Sequence, residues 1–155
     1  MKSKPFRWKK SRGRLGVLQP LLGSWVAAAD SELGQVKCTR TFTSVLGGHY
    51  IQLIAKWEFR TKVYEEVAFI GVTNGIISFW SFTSDGKKSQ GKLSDGTDVH
   101  PEAICFEAEV PARIARMIYW PDPVRGFHWA VESKNKKGWH RFTQHHYLES
   151  AQSSG

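Results

Sequence analysis

The sequence predicts an all-β protein folded as a closed antiparallel up-and-down barrel of about 8–10 strands. Three observations predict it: apolar and polar residues alternate with a period of two, turn signals recur about every ten residues, and no long segment has a helical period. Closure is expected because an open meander would leave two edge strands unpaired. The alternation is clearest in HYIQLIAKWEF (49–59), where one face carries His49, Ile51, Leu53, Ala55, Trp57 and Phe59.

Turn residues divide the first half of the chain into strands. Asn74-Gly75 is a strong two-residue hairpin signal, and Asp85-Gly86 closes the next segment in the same way. A polar stretch rich in Ser, Gly, Lys and Asp then contains one short strand. The first six strands are expected at 20–29, 35–46, 49–59, 63–73, 76–84 and 89–93.

The second half supplies four further strands, expected at 103–110, 112–120, 126–133 and 138–148. Pro121 and Pro123 end the second of these, which also fits a helical interpretation. The last two form a hairpin around KNKK (134–137), and a four-residue loop would pair Ser133 with Gly138. The inner face of this hairpin would then hold Phe127, Trp129, Val131, His140, Phe142, Gln144 and His146. A register shift of one residue would exchange the two faces.

Length and charge favour one globular domain behind a basic arm. A chain of 155 residues can bury roughly 70% of its unfolded surface, so it needs neither a disulfide nor a metal to hold a core. Seven basic residues fall within the first fourteen positions, and the rest of the chain has fifteen basic and fourteen acidic residues. We divide the chain into a basic N-terminal arm (1–18), a barrel domain (19–149) and a C-terminal tail (150–155).

Cysteine usage and the N-terminal segment indicate the compartment. Cys38 and Cys105 lie far apart without a CxxC pattern, which is typical of reduced thiols that act as small buried apolar residues. The stretch LGVLQPLLGSWVAAA follows basic residues as in a signal peptide, but Gln19 and Pro20 interrupt it and Trp25 stands where small residues are required. No segment is long and apolar enough to span a bilayer as a helix. We therefore expect an uncleaved cytoplasmic protein.

Three short motifs follow one another along the chain: Gly-x-Trp at 23–25, Leu-Gly-Gly at 46–48 and an aromatic hairpin that ends in Asp-Gly at 79–86. Their order and spacing resemble the lipocalin-like families of the calycin superfamily, and most of all a largely uncharacterised bacterial family. The similarity covers about residues 21–148. It implies a closed barrel whose central cavity binds a small, mostly apolar molecule. It also implies that Trp25 plugs one barrel end, often beneath an arginine of the last strand, although Arg141 falls on the predicted outer face.

The predicted inner faces supply the residues of a cavity. Pockets are mainly apolar with a few placed polar groups, so we predict non-catalytic binding of a small apolar or aromatic ligand. Aliphatic residues and phenylalanines form the wall, tryptophans offer surfaces for stacking, and two histidines are polar contacts. The candidates are His49, Ile51, Leu53, Trp57, Phe69, Trp80, Phe106, Trp129, His140 and Phe142. The alternative is an interior entirely filled by side chains, as in small eight-stranded barrels.

Metal and cofactor signals are weaker. No pair among the six histidines has HExxH or zinc-finger spacing, and the adjacent His145 and His146 point to opposite faces of a strand. We predict no metal, with a site assembled across strands as the alternative. A related group of ten-stranded calycin barrels binds ferric haem through a histidine near the C-terminal end. The haem candidates are therefore His140, His145 and His146, although that group's Gly-rich opening is missing here.

Other function classes remain as alternatives. Catalytic and nucleotide-binding motifs are absent from the sequence, which leaves an isomerase or cyclase that uses the barrel cavity as the enzymatic alternative. Phe6 and Trp8 interleave with the basic arm and can stack on single-stranded bases, or they can pack on the barrel and anchor the arm. Binding of nucleic acid or of an anionic surface would fall steeply with salt. A homodimer is a further open alternative.

Overall fold

The computed structural model of the protein describes residues 8–31, 34–110 and 113–150, and these residues form ten strands closed into one antiparallel barrel. Each strand pairs with its neighbours in sequence, and the first pairs with the last to close the barrel. The predicted all-β closed barrel is confirmed. The strands are β1 (Gly23–Ser31), β2 (Gly34–Val45), β3 (Tyr50–Glu58), β4 (Val63–Thr73), β5 (Ile76–Thr83), β6 (Lys88–Ser94), β7 (Ile104–Val110), β8 (Arg113–Pro121), β9 (Phe127–Asn135) and β10 (Gly138–Glu149).

The predicted hairpin between β4 and β5 is present. Asn74 and Gly75 have φ angles of 51° and 77°, and Thr73 pairs with Ile76 across the turn. Two successive positive φ angles define the type I′ turn, whose twist matches that of the flanking strands. The Asn-Gly pair therefore stands where the backbone requires it.

The register of β9 and β10 differs from the predicted one. Asn135 pairs with Gly138, so the turn holds two residues rather than four. The pairing then shifts between Arg141 and Thr143, and Phe142 is the extra residue of a β-bulge. Because side chains alternate along a strand, the bulge reverses the faces of the rest of β10. The inner face continues as Thr143, His145 and Tyr147, and the outer face as Gln144, His146 and Leu148.

In β2 and β3, buried side chains recur at every second position and identify the inner face of the barrel. In β2 they are Val36, Cys38, Arg40 and Phe42. Arg40 pairs across to Ala55 of β3, which is also buried. Following the register around the barrel places the alternate residues of each strand inside, so the apolar core lies within the barrel rather than between two layers.

One barrel end is closed by the chain that precedes β1. A 3₁₀ segment covers Gly16–Leu21, and within it Leu18 and Leu21 are fully buried. Further upstream, Trp8 is 8% exposed and contacts Phe127 edge to face, with the ring centroids 6.4 Å apart. Residues upstream of β1 therefore pack against the barrel. Residues 1–7 of the arm, with Phe6, and 151–155 of the tail lie outside the described residues.

Both cysteines are buried and unpaired, Cys38 on the inner face and Cys105 on the outer face. The loop between β6 and β7 covers Cys105, with Gly96 packed against it. Burial raises the pKa of Cys38 to about 11 and that of Cys105 to about 12, although Arg40 and Arg116 lower them in part. Both therefore remain neutral thiols at neutral pH, and a neutral thiol is a poor nucleophile.

We expect a thiol reagent such as Ellman's reagent to modify neither cysteine of the native protein at neutral pH. The same reagent should titrate both thiols after unfolding in guanidinium chloride, because unfolding removes the burial that protects them. Reaction kinetics followed by absorbance check this. A rapid stoichiometric reaction of the native protein would show that one of the two cysteines is accessible.

In the described ranges, no helix has the length and apolar character needed to cross a membrane.

Candidate functional site

Arg40 lies at the centre of a polar cluster inside the barrel. Its side chain is fully buried, and Nη2 donates a hydrogen bond of 2.7 Å to the Tyr119 hydroxyl. The guanidinium also lies over the Trp129 ring, with Cζ 4.8 Å from its centroid. Glu66 approaches the same nitrogen at 4.0 Å and accepts a short hydrogen bond from Ser81. A buried arginine is thus held by the hydroxyl and ring of Tyr119, the ring of Trp129 and the carboxylate of Glu66.

The phenols around Arg40 keep their protons. Burial raises the pKa of Tyr119 to about 12, although the neighbouring Arg40 opposes this shift. Burial also raises the pKa of Tyr147. Glu66 is therefore the counter-ion that the described residues provide for Arg40 at neutral pH.

Arg40 and the side chains around it form a layer across the barrel. Several polar atoms of this layer have no partner of normal hydrogen-bond geometry among residues 8–31, 34–110 and 113–150. They are Arg40 Nε and Nη1, Trp129 Nε1, His145 Nδ1 and the Tyr147 hydroxyl. All of them are almost completely shielded from solvent. A water molecule or ligand would have to displace side chains to reach them, so this layer is a packed floor across the barrel.

On one side of this floor the barrel is filled. Ile51, Leu53 and Phe106 face inward and are at most 4% exposed. At the end of this half, Trp25 donates its Nε1 proton to the Leu21 carbonyl at 2.8 Å and packs against Phe127 at 4.8 Å. We call this part of the barrel the closed half.

On the other side of the floor, towards the β3–β4 and β9–β10 turns, several inward-facing side chains are only partly buried, while Val36 and Cys38 of β2 are buried. We call this part the open half. The partly exposed inward residues are Trp57, Tyr64, Glu66, Ala108, Ala115, Met117, Val131, Thr143 and His145.

Aromatic rings line one wall of the open half. The Trp57 ring centroid lies 5.3 Å from that of Tyr64 and 6.3 Å from that of Trp129. His145 stands 5.2 Å from Trp129 on the neighbouring strand. Burial lowers the pKa of His145 and the charge of Arg40 adds to this effect, so its imidazole is neutral at neutral pH. The wall therefore combines flat apolar surfaces with an uncharged imidazole.

The residues predicted to form a cavity fall into three groups. Trp57 and Trp129 lie together at the open half. Ile51, Leu53 and Phe106 face inward but fill the closed half. The remaining five, His49, Phe69, Trp80, His140 and Phe142, do not contribute to an enclosed wall.

Phe69 and Trp80 lie on the outer face, contrary to the wall positions predicted for them. Phe69 pairs with Gln52 and with Trp80, whereas the buried neighbours Ala68 and Ile70 face inward. Phe69 is larger than its neighbours Ala68 and Ile70, but β4 carries apolar residues on both faces. The cross-strand register decided which face turned inward.

His49, His140 and Phe142 are exposed. His49 precedes β3 and lines a groove of about 570 Å³ at the plugged end, beside Arg14 and Tyr50. His140 pairs with Ser133 near the rim of the open half. Phe142 is 55% exposed because the β-bulge turns it away from the interior.

The three histidines predicted as haem candidates also lie in different places. His145 faces the interior, His146 faces outward and His140 lies at the rim. Arg141 also faces outward, as its predicted strand face implied. Its guanidinium Cζ lies 5.0 Å from the centroid of Trp120 and its Nε donates to Glu132 at 2.8 Å, so it does not cover Trp25.

Arg40, Tyr64 and Glu66 are interior residues that sequence reasoning did not select, and His145 was selected only as a haem candidate. A signal for Arg40 was available, because it shares the alternate positions of β2 with Val36, Cys38 and Phe42. An arginine within such an apolar series indicates a buried cation. His145 had no comparable signal, since its face depends on the bulge at Phe142.

No protein-family model and no curated protein matched this chain.

Proposed function

We propose that the protein is a non-catalytic binding protein that takes a small aromatic or amphipathic molecule into the open half of the barrel. The proposal rests on the difference in exposure between inward-facing side chains of the two halves. On the open side of the Arg40 layer, Trp57, Tyr64 and His145 are only partly buried inside the barrel. On the closed side, Ile51, Leu53 and Phe106 are at most 4% exposed. The closed antiparallel topology and the motif at Gly23–Trp25 also support our proposal that the chain belongs with the lipocalin-like barrels.

The chemistry of the open half favours a ligand with one flat apolar part and a few polar atoms. Trp57 and Tyr64 offer partly exposed rings, and stacking of this kind contributes about 0.5–1.5 kcal/mol beyond apolar burial. His145 and Glu66 are partly exposed polar residues on the same inner face. This combination of mainly apolar wall and few polar groups is typical of small-molecule sites.

Native mass spectrometry of the protein purified from its host tests the proposal directly. We expect the spectrum to contain a species heavier than the bare chain by the mass of one small molecule. An absorption spectrum of the same sample distinguishes haem from other ligands, since haem would produce a Soret band. A bare chain that also fails to bind every small aromatic probe would contradict the proposal.

Replacement of Trp57 tests the location of the site. We expect Trp57→Leu to weaken binding of the aromatic probe 1-anilinonaphthalene-8-sulfonate about 3- to 10-fold, because a loss of about 1.4 kcal/mol is a factor of ten. Probe fluorescence measures this affinity. Trp80→Leu is the matched control, since it removes the same ring from the outer face and should leave the affinity unchanged. Equal effects of the two substitutions would place the probe outside the open half.

A further inference from the structure

Two histidines and one aspartate come together on the outer wall of the barrel, at the plugged end and away from the open half. His128 of β9 and His146 of β10 are directly paired across the strands, so both imidazoles project from the same face. Asp122 lies in the loop between β8 and β9, which returns the chain to this position. Three separate parts of the chain thus contribute one side chain each.

The loop fixes the orientation of the Asp122 carboxylate. Its Oδ2 atom accepts hydrogen bonds from the backbone N–H groups of Val124 and Arg125, at 3.0 and 3.3 Å. The other oxygen, Oδ1, is thereby directed at the histidines. Nε2 of His128 donates to it at 2.8 Å, and Nε2 of His146 lies 3.8 Å from it.

Each of the three residues has one potential metal-ligand atom within 4.8 Å of those of the other two. The Nε2 atom of His146 also donates to the Arg125 carbonyl at 3.1 Å, which brings a backbone oxygen to the same place. The side chains of Asp122, His128 and His146 are 17%, 21% and 40% exposed. The group is therefore held in position yet accessible to an ion from solution.

We propose that Asp122, His128 and His146 bind a divalent transition-metal ion of the zinc class. Two imidazole nitrogens and one carboxylate oxygen are the donor set that Zn²⁺ accepts, whereas Ca²⁺ and Mg²⁺ prefer oxygen alone. Three protein ligands leave a fourth position for water or for the Arg125 carbonyl. Bound metal would cross-link the β8–β9 loop to β9 and β10.

Binding requires one rearrangement. The His128 and His146 rings are stacked, with their centroids 4.5 Å apart and their planes inclined at 24°, and a shared ion must lie near the plane of both. Trp120 stacks on the far side of His128 and holds that ring. His146 is the more exposed of the two, so its ring turns to meet the ion. The metal binds the Nε2 atom of each histidine in place of its hydrogen bond. The proton on that atom therefore moves to Nδ1 or is released to solvent.

Isothermal titration of the full chain with Zn²⁺, after treatment with EDTA, tests the proposal. We expect one ion per chain, and titration with Co²⁺ should produce a visible absorption spectrum that reports nitrogen and oxygen ligands. His146→Gln should weaken binding of Zn²⁺ at least about tenfold, since even the loss of a second-shell partner of a metal ligand costs 10–100-fold. At about a hundredfold excess over the Kd, Zn²⁺ should raise the Tm by about 5–10 °C.

His140→Gln is the matched control, because it removes an exposed histidine of the same strand that is not part of the cluster. Its Zn²⁺ affinity should equal that of the unmodified chain. Asp122→Asn provides a second variant, and it should also weaken binding at least about tenfold. The proposal is overturned if the chain does not bind Zn²⁺, or if His146→Gln and His140→Gln bind it equally well.

Discussion

Phe127→Ala should lower the free energy of unfolding by about 3–5 kcal/mol, which is the usual cost of truncating a buried phenylalanine to alanine. Phe127 is fully buried at the plugged end and lies against four other rings, those of Trp8, Trp25, Tyr119 and Tyr147. Removing its ring leaves a cavity that these large, stiff side chains cannot collapse to fill. Urea unfolding followed by circular dichroism measures the change.

Phe142→Ala is the control, because it makes the same substitution in the neighbouring strand. Phe142 is 55% exposed at the β-bulge, and exposed substitutions of this kind usually change stability by less than about 0.5 kcal/mol. A cost for Phe127→Ala below about 1 kcal/mol would show that the chain before β1 does not seal this end as described. Similar costs for the two variants would contradict the inward and outward assignments of β9 and β10.

The strand positions could be predicted because they depend on local features. The Asn74-Gly75 turn fixes one hairpin through its own backbone preferences, and the alternation in β3 identifies its buried face without reference to any other strand. Ile51, Leu53 and Trp57 therefore face inward as predicted. These signals act over a few residues, and so a single sequence contains them.

The faces of β4, β5 and β10 could not be predicted in this way. In β4 the run from Val67 to Val72 is apolar at nearly every position, so alternation does not distinguish Phe69 from its neighbours. The choice is made by pairing with β3 and β5, which is a long-range property. In β10 the bulge at Phe142 reverses the pattern, and no residue of that strand marks the bulge in advance. The structure therefore places Trp57 and Trp129 on the inner face, and Phe69, Trp80 and Phe142 outside.

Arg40→Met should lower the free energy of unfolding by about 1–3 kcal/mol, the usual cost of leaving a buried polar group without its partner. Methionine roughly preserves the volume of the side chain, so little of this cost comes from a cavity. The loss arises because the Tyr119 hydroxyl is left buried without its charged donor, and because Glu66 loses its counter-ion. Thermal and urea unfolding measure the loss, and the exposed Arg60→Met serves as the control, with an expected change below about 0.5 kcal/mol.

A double-mutant cycle with Tyr119→Phe separates the network from simple packing. Tyr119→Phe alone removes the acceptor of the 2.7 Å hydrogen bond from Arg40, and should cost about 1–3 kcal/mol because the guanidinium remains buried. In the Arg40→Met/Tyr119→Phe protein neither partner is left unsatisfied, so its total loss should be smaller than the sum of the two single losses. We expect a coupling of about 0.5–3 kcal/mol. Strict additivity would mean that the two side chains do not stabilise one another, and that the layer across the barrel depends on packing against Trp129 alone.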